Sequence, residues 1–158
     1  MENTKQIFME KAIASAREGI TCNHGGPFGA CIVKDGEVIS TGHNTVIRDN
    51  DPTCHAEMNA IREACKKLNS HILKDCELYT TAEPCPMCLA AIYWARIPKI
   101  FVGAHREIAA NFGFDDDFFY KELVLPFSER QVETVENILS DECQKVFSEW
   151  KELQRPLY

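Results

Sequence analysis

Apolar residues recur along this chain with two different periods, and the switches between them predict helices alternating with short strands. Ile7, Ala12, Ala14 and Ala16 stand among polar residues from Asn3 to Gly19, the pattern of an amphipathic helix with Gly19 as its stop. A glycine-rich turn follows, Gly25-Gly26-Pro27-Phe28-Gly29. Ala30 to Lys34 and Val38 to Gly42 are short apolar runs on either side of Asp35-Gly36, a dipeptide that favours a two-residue turn, so a β-hairpin is expected here. Met58, Ile61, Cys65 and Leu68 return at helical spacing and place a helix from about His55 to Asn69. Cys76 to Thr81 reads as a strand. Pro86 suits the first position of a helix, where its missing N–H costs nothing, and that helix runs to about Ala95. Lys99 to Ala104 is again a strand.

Beyond His105 the periodicity weakens. Ile108 to Tyr120 is partly helical, Gln131 to Val135 is a candidate final strand, and Leu139 to Leu153 a last helix. The order helix, hairpin, helix, strand, helix, strand implies a layered α/β domain with right-handed crossovers between parallel strands. No repeat or low-complexity linker divides the sequence, so residues 1–158 are expected to form a single domain.

Composition narrows the class. At 158 residues, 45% hydrophobic and 26% charged, the chain has the balance of a globular domain able to bury a core without disulfide staples. The opening Met-Glu-Asn-Thr-Lys-Gln lacks the pattern of a secretory signal and no apolar stretch is long enough to span a bilayer, which points to the cytoplasm. The eight cysteines then read as reduced thiols and metal ligands rather than a disulfide framework. A net charge of −7 without a run of Lys or Arg argues against a nucleic-acid substrate, because neutralising phosphates supplies much of that affinity.

The chemistry is concentrated in His55-Ala56-Glu57 and Pro84-Cys85-Pro86-Met87-Cys88, each at the start of an expected helix. With Pro86 at the first helical position, Cys85 is the N-cap and Cys88 lies in the same first turn, where free amides and the helix dipole favour thiolate. One imidazole and two sulfurs are a zinc set. Three protein ligands leave a tetrahedral ion one open position, and a water there has its pKa lowered from 15.7 toward about 7. Glu57 would sit beside that water without ligating the ion and carry its proton to the substrate. A zinc staple with Cys54 or Cys76 as fourth ligand would explain the cysteines but leave Glu57 idle.

H-x-E paired with P-C-x-x-C is the signature of the zinc deaminases. Gly25 to Ala30, Asp51 to Glu57, Glu83 to Cys88 and Ala91 to Arg96 resemble the cytidine deaminase-like superfamily, and within it Gly113-Phe114-Asp115-Asp116 and Pro156-Leu157-Tyr158 are similar to the bacterial guanine deaminases. Cys54 stands where that family favours alanine. The resemblance implies a three-layer α/β/α fold with a central five-stranded mixed sheet, and a homodimer that exchanges C-terminal segments from about residue 140 onward. It implies one zinc per subunit and hydrolysis of guanine to xanthine and ammonia. It also implies that Asn44 hydrogen-bonds the purine, that Phe28 stacks on or walls the ring, and that Ala56 contributes to substrate binding. Asp116 would assist proton transfer, while Trp94 and Tyr158 would help to enclose the ligand with a contribution from the partner.

Each of these has a plainer reading. Asn44 follows a strand and is suited to a turn; Phe28 is as suited to a core as to a pocket; Asp115 to Asp117 is a solvated acidic run; Trp94 packs; Tyr158 is a frayed end. His24, His43, His71 and His105 have no partner motif and read as surface or core histidines. Competing activities are deamination of guanosine, another nucleoside or an amino-triazine, and of tRNA adenosine, the last disfavoured by charge. A zinc-stabilised binding module is the non-enzymatic alternative.

Overall fold

The Asp35-Gly36 turn sets the first strand register. Asp35 and Gly36 both take positive φ, 50° and 80°, as a mirror-image hairpin turn requires, and Lys34 pairs directly with Glu37. In the computed structural model, which describes residues 2–157, that hairpin joins strands β1 (Gly29–Lys34) and β2 (Glu37–His43). Before it runs helix α1 (Glu2–Thr21). After it come a single turn α2 (Val46–Asp49), helix α3 (Ala56–Leu68), strand β3 (Cys76–Ala82), helix α4 (Pro86–Trp94) and strand β4 (Lys99–Ala104). Helices α5 (Arg106–Asn111) and α6 (Asp117–Leu123), a 3-10 turn (Phe127–Glu129) and helix α7 (Ser140–Glu152) complete the order.

The sheet order is β2-β1-β3-β4, with β1 antiparallel to both neighbours and β3 parallel to β4. Alternation along the strands divides the core in two. Cys31, Val33 and Tyr79 face Phe8 and Ala12 of α1 on one side. Ala30, Ile32 and Leu78 face Ala56, Ala60 and Ala64 of α3 and Ile92 of α4 on the other. The result is the expected three-layer α/β/α arrangement.

Four expectations change. The first helix continues past Gly19 to Thr21, because Gly19 sits under the His43 ring: a Cβ there would come within 2.8 Å of it, so the glycine serves packing and not termination. The turn α2 was not predicted, being too short to carry a period. The sheet has four strands among the described residues rather than five, and one parallel pair. Gln131 to Val135 forms no strand: Val132 and Val135 are 74% and 70% exposed, and β-branched side chains do not make a strand without a neighbouring ladder to hydrogen-bond.

The chain divides into two compact units, one through Tyr120 and one from Lys121. The first contains the sheet and its helices. In the second, Arg130 donates to the carbonyls of Leu125 at 2.9 Å and Leu123 at 3.4 Å and lies over the Phe127 ring. Val146 and Phe147 of α7 and Leu153 at its C-cap are exposed apolar side chains. No helix among the described residues is long and apolar enough to cross a membrane.

Candidate active site

Two helix starts bring the proposed ligands together. His55 is the N-cap of α3 and Cys85 the N-cap of α4, both with extended backbone (φ −72°, ψ 160° and φ −64°, ψ 167°), and Pro86 opens α4. His55 Nδ1 lies 3.5 Å from Cys85 Sγ and 3.5 Å from Cys88 Sγ. A tetrahedral zinc holding nitrogen at about 2.0 Å and sulfur at about 2.3 Å sets the two donors about 3.5 Å apart, so the three side chains fit one ion. No third cysteine joins them as a fourth ligand among the described residues. Cys54 Sγ instead receives Arg62 at 3.6 Å, and Cys76 is buried in the core, so the staple reading loses its ligand.

The two sulfurs behave as a pair. Hydrogen bonding from Cys88, with His55 facing it, draws the Cys85 thiol down to about 4. The same hydrogen bond, together with burial, holds the Cys88 thiol up. His55 is raised by the Cys85 sulfur it faces.

Glu57, in the first turn of α3, is 6% exposed and takes no place in the donor set. Burial pushes its carboxyl above the ordinary range, and Thr80 Oγ approaches its Oε1 at 3.3 Å. Asp116 is likewise raised, by burial first and then by the Cys85 charge. Both line a cavity of about 360 Å³ with His55 and Cys85, at the small end of ligand sites.

Phe28 and Asn44 line the same cavity, Phe28 packing edge-on against Phe114 with ring centroids 5.0 Å apart. Asn44 Oδ1 accepts from the backbone N–H of Gly26 at 3.3 Å and of Val46 at 3.1 Å. Backbone N–H groups only donate, so the amide is oriented with its carbonyl oxygen engaged and its N–H donors left for a ligand. A Cβ on Gly25 would collide with that oxygen. Ala56 is fully buried against the sheet rather than lining the cavity. Trp94 stands in the last turn of α4, far along the helix from Cys85, is 65% exposed, and does not line the cavity of its own chain. Tyr158 lies outside the described residues.

Sequence reasoning missed Ile47, Glu83, Arg106 and Phe119, which also line the cavity. Glu83 accepts from the N–H of Arg106 at 3.2 Å and so ties the start of α5 to the loop before Cys85. Its place beside the Pro84-Cys85 motif was the one available signal.

The described geometry has clear relatives. Residues 2–104 match the family model of the cytidine and deoxycytidylate deaminase zinc-binding region. Over 146 residues the chain is 49% identical to the guanine deaminase of Bacillus subtilis (strain 168), covering 92% of this chain and 93% of that one. Over 117 residues it is 47% identical to a tRNA-specific adenosine deaminase of Aquifex aeolicus, covering 72% and 77%. The X-ray structure of the Bacillus subtilis guanine deaminase superposes with a TM-score of 0.89 at 48% identity, over 93% of each chain.

Proposed function

Because this chain belongs to the cytidine and deoxycytidylate deaminase zinc-binding family, we propose that it is a guanine aminohydrolase, converting guanine and water to xanthine and ammonia. The observation that carries the reaction is Glu57: a buried carboxylate beside a three-donor metal site, outside the ligand set, is placed to move protons. The substrate follows from the extent of the similarity to a guanine deaminase, which runs well beyond the shared zinc-binding region.

When bound, zinc supplies a water acidic enough to act as a nucleophile near neutral pH. Glu57 accepts the proton of that water and returns it to the purine ring nitrogen beside the amino-bearing carbon. The proton that leaves with ammonia passes from the new hydroxyl to the amino group, with Glu57 again as carrier and Asp116 assisting at the departing nitrogen. Asn44 offers its amide N–H donors to an acceptor on the purine, for which guanine has O6 and N7. Phe28 and Phe114 wall the ring.

Charge selects against phosphate-bearing substrates. Glu57, Glu83, Asp115 and Asp116 line the cavity against one cation, Arg106, which favours an uncharged base over a phosphate-bearing one. With the overall charge of −7, this disfavours an RNA stem-loop. The test is ammonia release by zinc-loaded protein from guanine, guanosine, adenine, cytosine, amino-triazines and an adenosine-containing RNA stem-loop. Guanine is expected to be turned over best. No turnover of guanine alongside turnover of another compound overturns the assignment.

The same reading makes the protein a homodimer in which the C-terminal segment crosses to the partner and brings Tyr158 to its site, with Trp94 contributing from its exposed position. The exposed apolar side chains of α7 support this, since exposed apolar patches mark protein–protein contact sites. Removing Pro156 to Tyr158 is expected to raise KM for guanine while zinc content stays at one per chain. Unchanged KM and kcat would return Tyr158 to the role of a frayed end.

A further inference from the structure

His24 and His43 were read from sequence as isolated, and they are not. His24 Nδ1 lies 2.9 Å from His43 Nε2, the two rings stack with centroids 5.2 Å apart and 22° between planes, and His43 Nδ1 lies 3.3 Å from Ser15 Oγ of α1. Each histidine adjoins a part of the purine cradle in sequence. His24 leads into Gly25 and Gly26, and Gly26 N–H holds the Asn44 oxygen. His43 precedes Asn44 at the end of β2. The His24 carbonyl also accepts from Ile47 at 3.1 Å and Arg48 at 3.0 Å, while Asn59 Nδ2 donates to the His43 carbonyl at 2.9 Å. The imidazole contact thus adds a second side-chain tie, beside Asn44 Oδ1 with Gly26 N–H, between the two backbone segments that orient Asn44. Gly19, bare beneath the His43 ring, makes room for it.

We propose that His24 and His43 are positioning residues for Asn44, holding the purine cradle through a hydrogen bond that persists only while one of the two facing nitrogens carries no proton. This rests on the guanine reading and adds to it a cause of acid sensitivity in substrate binding. A neutral pair, or a pair carrying one extra proton, keeps one N–H between the two nitrogens. A second extra proton puts an N–H on each, 2.9 Å apart, and the pair opens. The charged side chains around it act in both directions. Glu18 of α1 and Asp49 of α2 favour the charged form of His43, while Arg48 of α2 and His24 itself oppose it. From α3, Arg62, Glu63 and Lys66 share the polar cavity that His43 lines. Burial is the largest influence and lowers the imidazole of His43, so the weakening sets in as pH falls below the ordinary range.

The test uses zinc-loaded full-length protein, with kcat and KM for guanine measured from pH 5 to 8 in the wild type, His24→Phe and His43→Gln. His24→Phe keeps a stacking ring and removes the hydrogen bond; its KM is expected to rise about five- to tenfold at neutral pH, with kcat within about twofold, and to lose the wild-type rise toward acid. His43→Gln retains both a donor and an acceptor for His24 and does not titrate, so its KM is expected near the wild-type value at pH 8 and flat toward acid. Ring titrations by NMR are expected to be coupled in the wild type and single-step for the remaining histidine in each variant. A wild-type KM profile retained by both variants, or a loss confined to kcat, overturns the proposal. If the wild type does not turn over guanine, the functional reading fails on its own, and independent single-step titration of the two rings would then overturn the pair.

Discussion

Glu57→Gln is expected to lower turnover of guanine on the order of 10⁴-fold, the upper end of what positioned proton transfer contributes, because one carboxylate serves both transfers. The substitution keeps the shape of a side chain that is only 6% exposed, and the Thr80 hydroxyl still finds an oxygen at that place. The carboxamide, however, accepts no proton at neutral pH. Zinc content is expected to remain at one per chain, since His55, Cys85 and Cys88 are untouched, and this separates loss of proton transfer from loss of the metal. Metal-free stability should move the other way. The folded-state carboxyl of Glu57 is raised above its ordinary value by burial, so its contribution favours the fold below that value and is lost as pH rises through the raised one. At neutral pH the metal-free Gln variant should therefore withstand urea at least as well as the wild type. Full activity of Glu57→Gln with zinc retained would sink the proton-carrier role.

Stripping the zinc is expected to abolish activity and to lower the melting temperature, both restored by adding zinc back. A ligand present at about a thousand times its Kd stabilises the native state by about 4 kcal/mol, on the order of 10 °C for a chain of this size. The donor set explains the reversibility: His55 and Cys85 are held as N-caps by their own helices and Cys88 by the first turn of α4, with S···N separations of 3.5 Å, so the three ligands belong to the fold of the sheet and its helices. Cys88→Ser should reproduce the loss, because Cys88 is fully buried and its hydroxyl replacement is a poor zinc ligand. Retention should also weaken in acid, where protons compete for His55, whose imidazole the Cys85 sulfur raises. The checks are differential scanning calorimetry with and without chelator, metal analysis after dialysis across pH, and ammonia release after zinc is returned. A chelated protein with undiminished turnover would remove the metal from the reaction.

The metal set was legible in sequence because it is local. His55 and Glu57 stand two positions apart, Cys85 and Cys88 three, and each pair is held by one helix start whose capping chemistry is written in adjacent residues. The hairpin was legible for the same reason, since Asp35-Gly36 carries its own turn conformation. By contrast, Gln131 to Val135 had the residues of a strand and no ladder to join, and Gly19 had the look of a helix stop while serving a contact with His43 24 positions away.

What the sequence determined by itself is the inventory of this site: an imidazole, two thiols and a carboxylate, placed as two pairs by two helix starts. Only the tertiary structure decided how they and the rest combine. Packing α3 and α4 against one face of the sheet brought thirty-residue separations down to 3.5 Å. It buried Glu57 far enough to change its acidity, turned the Asn44 amide by two backbone N–H groups, and set His24 against His43. Distances and desolvation between segments far apart in the chain arise from packing, and no local pattern of residue types encodes them.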